Sequence, residues 1–331
     1  MKGYSIKIMM ALAAILPLTA CENEIETIWS DDNPPVLVLN AQIKQDEAEH
    51  TLFVYCSEKS HCEAVDAKVT VQVNSKDVEL VHEQDQESAR YVFSTPLVAG
   101  DKLYFKAEYN GLTATARAEV PVAVGEITKV EVSEVTVESM LDGEKEQRRQ
   151  DAVTFKDNVG TQDFYMLVVT DVYSRIDADG QSVREYHHKV HVDTSLDKVL
   201  NPMGAEVSEF LGYGNDFNVF SDEMFADGSY TLKILASKWG YYYGEWNDFW
   251  AEFQEGDSYK KDRHYKIYTL DFDEFLYVKA ISAAYNDIGF MTEPMIYPEN
   301  VTGGLGFVSA ITPIEWITPG TPVPFTGEIP M

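Results

Sequence analysis

Few residues in this chain have the type and spacing that chemistry requires. Cys56 and Cys62 flank a short polar segment, residues 57–61. In an oxidising compartment such an even pair reads as a disulfide. The loop it closes is short, so the bond would contribute only about 2 kcal/mol. Two free thiols are the alternative. A metal shared with the adjacent His61 would have too few ligands, poorly spaced. His187, His188 and His191 form a second cluster. On a strand, His187 and His191 stand roughly 13 Å apart, too far to share an ion. His188, on the opposite face, is expected to point inward and hydrogen-bond. The third group is aromatic: Trp239, Tyr241, Tyr243, Trp246 and Trp250. Such rings can stack on a glycan or a peptide while hydrogen-bonding at their rims. Strand alternation would put Trp239, Tyr241 and Tyr243 on one side. The competing reading, in which these rings fill a core, is the better supported.

No serine-hydrolase, zinc-protease or P-loop pattern appears. Ser221-Asp222-Glu223 is too ordinary to mark a site, and acids near Asp216 and Asp222 match no calcium loop. The residues therefore nominate no catalytic group, no cofactor and no metal ligand. A non-enzymatic role is expected.

Composition supports that direction. The formal net charge is -29, with acids scattered along the chain rather than blocked. A solvated acidic surface repels nucleic-acid phosphates, so no nucleic-acid partner is expected. Hydrophobic residues make up 45% of the chain, enough for packed cores.

The elements that must position these groups read as short strands. Leu52, Val54 and Cys56 alternate with Phe53 and Tyr55, and Val69, Val71 and Val73 with Lys68, Thr70 and Gln72. Leu103, Phe105 and Ala107 lead to Asn110-Gly111, a two-residue hairpin signal, and the return carries Ala114, Ala116 and Ala118 on one face. Residues 35–123 thus predict an immunoglobulin-like β-sandwich. Residues 124–331 predict a larger antiparallel β domain, including a strand over 184–193. One amphipathic helix is expected near 271–285. Asp271 and Glu274 have capping-box spacing there, and Phe272, Leu276, Ala280 and Ala284 recur every four residues, widened by Phe275 and Val278. Gly303, Gly304 and Gly306 suggest a tight backbone path. The prolines from Pro313 onward predict an extended, irregular end. The fold class is mainly β, with one packed helix.

The amino terminus supplies the last chemistry. Lys2 and Lys7 precede an apolar run over 8–18, the form of a secretory leader (residues 1–20) and too short for a span. Leu18-Thr19-Ala20-Cys21 resembles the lipobox of bacterial lipoproteins, which implies acylation of Cys21 and membrane attachment through lipid. Glu22, Glu24 and Glu26 follow, and residues 21–34 read as an acidic tether. Together with Pro35–Ala41 as a Leu/Val-rich strand, Val159-Gly160-Thr161, Phe220-Ser221-Asp222-Glu223, the helix from Asp271, Glu293-Pro294, Asn300-Val301 and the glycines before Phe307, the chain resembles the Bacteroidetes lipoprotein family DUF4249. It departs from the family pattern in having Ala41 for Gly and Phe307 directly after Gly306. The resemblance implies residence in the outer membrane, exposed at the cell surface, beside a TonB-dependent transporter or in envelope assembly. It implies no catalytic residue. A glycan- or peptide-binding module is the alternative expectation.

Overall fold

The computed structural model describes residues 34–58, 61–84, 88–138, 145–158, 160–201, 215, 217–225, 227–236, 244–285 and 297–327. Cys21, the leader and the tether lie outside them, as do Trp239, Tyr241, Tyr243, Val159, Asp216 and Glu293-Pro294.

The first unit is a two-layer sandwich. One layer holds β1 (Val36–Lys44), β2 (His50–Glu58), β3 (His61–Ala64), β6 (Val81–Gln84) and β7 (Ala89–Phe93). The other holds β4 (Lys68–Val73), β5 (Lys76–Asp77), β8 (Lys102–Tyr109) and β9 (Leu112–Glu119). Period two sets the layers. On β1, Leu37, Leu39, Ala41 and Ile43 are buried in the core, where they meet Phe105 and Ala116 from the facing sheet. Asn110 and Gly111 both take positive φ (47° and 82°), the geometry a tight hairpin turn demands.

The second unit repeats the principle. One layer is β10 (Glu126–Glu138), β11 (Lys145–Lys156), β16 (Ser229–Ala236) and β14 (Val192–Asp193). The other is built on β12 (Phe164–Ile176) and β17 (Ser258–Leu270), paired antiparallel along their whole length, with β13 (Ser182–Lys189) and β15 (Val219–Ser221) on β12. Tyr165, Leu167, Val169, Tyr265 and Ile267 point between the layers. The strand expected over 184–193 is divided. The chain leaves β12 after Lys189 and joins the opposite sheet at Val192.

Through Thr318 the tail overturns the expectation of an irregular end; beyond it the described residues are irregular apart from one two-residue strand. β18 (Gly304–Leu305) pairs parallel with Leu37 and Val38 of β1. β19 (Val308–Thr318) then pairs parallel with β1 through residues 308–311 and antiparallel with β17 through residues 312–318. β20 (Val323–Pro324) adds to β17. Pro313 sits inside β19 because pairing with β1 has ended at Ile311, so its missing N–H costs no bond on that side. β19 thereby fuses one layer of each unit into a single sheet, and Val308 and Ala310 enter the core of the first sandwich.

Among the described residues, two α-helices accompany the sheets. α1 (Gly244–Ala251) takes up the later part of the aromatic run; Trp239, Tyr241 and Tyr243, where alternation suggested a strand, lie outside the described residues. α2 (Phe272–Tyr285) is the expected helix, started by the Asp271 carboxylate, which accepts the Glu274 N–H at 2.7 Å. Its buried face differs from the predicted stripe. Glu274, Phe275, Val278 and Ser282 are buried, whereas Phe272 is 54% exposed. A helix apolar on most sides gives periodicity little to choose between.

Candidate functional site

A concavity lies where α2 crosses the fused sheet. Strand alternation determines what faces it. Leu39, Ala41 and Ile43 of β1 point into the first core, so Asn40, Gln42 and Lys44 point out toward α2. On β19, Val308 and Ala310 point inward and Ser309 outward. On β12, Met166 and Val168 take the face opposite Tyr165 and Leu167. These outward groups, with Phe53, Phe217, Val278, Ile281 and Phe307, enclose a cavity of about 390 Å³. That volume suits a small organic molecule. Tyr277 stacks on Phe307, ring centroids 4.5 Å apart, and stiffens one wall.

Glu274 is the chemical centre of this cavity. The capping-box spacing predicted that its carboxylate would turn back to the start of the helix. Instead it turns into the sheet. Its Oε1 accepts from Gln42 Nε2 at 2.7 Å and from Ser309 Oγ at 2.8 Å. Its Oε2 is buried and has no hydrogen-bond partner among the described residues. The residue is 1% exposed. Burial pushes its pKa up to about 8, with the nearby Asp271 adding to the rise, against the opposing pull of Gln42 and Ser309. At neutral pH the group is therefore mainly a carboxylic acid, able to donate from the partnerless oxygen. Lys44 and Lys189 supply positive charge at the rim. Protein packed around Lys189, and then the Lys44 charge, push its pKa down.

The second polar centre is structural. Arg263 on β17 is buried and grips Asp171 on β12 with two bonds, Nε to Oδ1 at 2.6 Å and Nη2 to Oδ2 at 2.8 Å. Its Nη1 reaches Asp151 on β11 at 2.8 Å, and the Tyr265 hydroxyl donates to the same Asp151 oxygen at 2.8 Å. Burial works against the charge on Asp171, but Arg263 and Lys261 outweigh it and hold its pKa low. The network ties the two layers of the second unit together.

The residues singled out in the sequence fall elsewhere. Trp246 and Trp250 are 5% and 3% exposed, packed with Phe249 and Tyr173 in an aromatic core under α1. They present no open stacking face, and core filling explains them. Cys56 and Cys62 are not bonded to one another. The β2–β3 register puts Cys56 opposite Glu63 and Cys62 opposite Ser57, so the two thiols project to opposite faces of the hairpin. A disulfide would need a one-residue slip. His188 lies opposite Asp171 across β12 and β13, half-buried, with its pKa lowered chiefly by burial. Gly303 and Gly306 take φ of 78° and 107°. A Cβ on Gly304 would meet the Leu37 carbonyl oxygen, and one on Gly306 that of Leu39. These glycines let the tail lie against β1, beneath the cavity.

Glu274 itself was visible only as a capping residue. The clue to its other role, outward polar positions Gln42 and Ser309 on strands 267 residues apart, depends on a pairing the sequence does not announce.

The sequence model of a domain of unknown function, DUF4249, matches residues 22–314. No curated protein matches the chain. The matched span includes both sandwiches, α2 and the part of β19 that joins them, and the chain belongs to the DUF4249 family.

Proposed function

We propose that this protein is an exported lipoprotein that binds a small amphipathic acid in the cavity beneath α2. The observation that carries the reading is Glu274, a buried carboxyl group whose Oε2 has no hydrogen-bond partner among the described residues. A group of this kind is costly unless a ligand or water satisfies it. The apolar walls, Phe53, Val278 and Ile281 among them, accept a hydrocarbon or aromatic body. The acid of Glu274 donates to an acceptor on that body, and Lys44 and Lys189 attract its anionic end. A short peptide ending in an apolar residue has this chemistry. A glycan fits the apolar walls less well.

Gln42 and Ser309 hold one oxygen of Glu274 in place, which leaves the other to bind a ligand. The lipobox at Cys21 supports attachment to a membrane, and the acidic residues after it support the outer membrane and the cell surface. In that setting the protein hands its ligand to an outer-membrane transporter.

The test uses 1-anilinonaphthalene-8-sulfonate, an apolar body with one anionic group. The full-length protein in mild detergent should bind it saturably, one per chain, after subtraction of the micelle signal. Ile281→Trp, which fills the cavity, should abolish binding, and Lys189→Glu should weaken it. Equal binding by wild type and both variants would rule out this site. For the anchor, Cys21→Ser should release the protein from the membrane fraction. Retention there would rule out lipid attachment at Cys21.

A further inference from the structure

Three carboxylates converge at one end of the second sandwich. Asp157 directly follows β11, Asp163 directly precedes β12, and Asp222 directly follows β15. One oxygen from each lies within 4.8 Å of the others. The backbone enforces the meeting. Ser221 pairs with Phe164 across β15 and β12. The Asp163 N–H donates to Asp222 Oδ1 at 3.1 Å, and the Asp222 N–H to the Asp163 carbonyl at 3.3 Å. Thr161 Oγ1 donates to Asp163 Oδ2 at 2.6 Å. Asp157 is held independently. Its N–H donates to the Gly228 carbonyl at 2.7 Å, and the Tyr165 hydroxyl donates to its Oδ1 at 2.6 Å.

Acidic residues crowd many protein surfaces without consequence. This group differs in its depth and in one oxygen. Asp157 is only 6% exposed, and its Oδ2 is buried with no hydrogen-bond partner among the described residues. Buried carboxylate oxygens are satisfied by donors or by metal ions. Among the described residues, no lysine, arginine or histidine forms a salt bridge with any of the three. The charged group that Asp157 meets is another acid, Asp222. Two oxygens bound to one calcium ion stand at most about 5 Å apart, twice the bond length. The three aspartates fall within that limit. The set contains no nitrogen or sulfur ligand, which disfavours zinc and copper. Magnesium keeps much of its own water and seldom uses a cage of protein carboxylates.

We propose that Asp157, Asp163 and Asp222 bind a calcium ion. The ion pins the end of β15 to the turn between β11 and β12. Phe217 and Asn218, just before β15, line the cavity beneath α2, so the ion also steadies one cavity wall. The site stands on its own carboxylates and does not require that the cavity bind anything.

The experiment strips the purified full-length protein, in non-ionic detergent, with a chelator and returns calcium or magnesium while melting is followed. Calcium should raise the melting temperature saturably, and magnesium should not at equal concentration. Terbium, a luminescent stand-in for calcium, should emit on excitation of tyrosine, with Tyr165 beside the site. Asp222→Asn keeps the Oδ1 acceptor for the Asp163 N–H. It should melt no lower than wild type without metal, yet lose the calcium-induced rise and bind terbium at least about tenfold more weakly. No rise with calcium in the wild type would overturn the proposal. So would a rise, or terbium emission, that Asp222→Asn retains. A rise with magnesium equal to that with calcium would overturn the assignment of the ion.

Discussion

Ser309 donates a 2.8 Å hydrogen bond to Glu274, tying the strand that fuses the two sandwiches to the helix that lies over them. Neither residue would be remarked on alone. Ser309 is a small polar residue in an apolar strand, and Glu274 has the position of an ordinary capping residue. Joined, they place a nearly inaccessible carboxyl group at the inner surface of a cavity. The consequences can be measured.

The first is a pH dependence of stability. Glu274 has a folded pKa of about 8 against an ordinary value of 4.5. Below pH 4.5 it is protonated in both folded and unfolded chains, and its burial carries no ionisation penalty. Between pH 4.5 and 8 the unfolded chain releases the proton while the folded chain keeps it, so stability falls as pH rises, by up to about 1.4 kcal/mol per unit. Above pH 8 both forms are ionised and the loss is complete. Asp271, directly before the helix, is the charged neighbour that tunes this window. Glu274→Gln keeps the acceptor for Gln42 and Ser309 and cannot ionise. Urea denaturation at half-unit pH intervals should show a shallower fall between pH 5 and 8 in the variant than in the wild type. Parallel curves would place the titrating group elsewhere.

Arg263 should matter far more than an exposed arginine. Arg263→Met removes the partner of Asp171 and Asp151, which are 3% and 1% exposed. Removing one partner of a buried ion pair costs about 3–5 kcal/mol, and here Lys261 on Asp171 and Arg149 on Asp151 remain to offset part of the loss. Chemical denaturation should show a loss of that order, while Lys145→Met, at an exposed pair with Glu138, should stay within about 1 kcal/mol.

Gly306 tests the tail. Its φ of 107° and the closeness of Leu39 leave no room for a side chain. Gly306→Ala should cost about 1–3 kcal/mol in backbone strain, with the collision in addition. Hydrogen exchange should rise first along β1 and β19. Exchange confined to other strands would contradict the parallel pairing.

The two thiols should react unequally. Cys62 is exposed and Cys56 is buried. Alkylation of the native protein, followed by peptide mass analysis without reductant, should label Cys62 rapidly and Cys56 only after unfolding. A linked peptide containing both would restore the disulfide that the hairpin register rejects.

How much of this could be read in the sequence follows from the range of the interactions. Alternation within one strand is local, so Leu37, Leu39, Phe105 and Ala107 announce the strands and their inner faces. Asn110-Gly111 announces its turn, and Asp271 its helix start. Pairing between distant segments is not local. Pro313 and the glycines before it suggested an irregular tail, yet that tail is the strand on which both units depend. Cys56 and Cys62 looked suited to a bond until the register set them on opposite faces. The aromatic run gave no clear period, and its described part folds as α1 with Trp246 and Trp250 inward. Asp157, Asp163 and Asp222 match no metal loop because three separate segments bring them together.

The central claim is that the cavity beneath α2 holds a small molecule in the native protein. Native mass spectrometry of the full-length chain, extracted gently from its own membrane, tests this most directly. The account predicts a population of wild-type protein carrying one additional small molecule, lost on mild activation, and no such population for Ile281→Trp at equal folded yield. Wild type and Ile281→Trp with the same spectrum, both bare or both carrying the same mass, would contradict it.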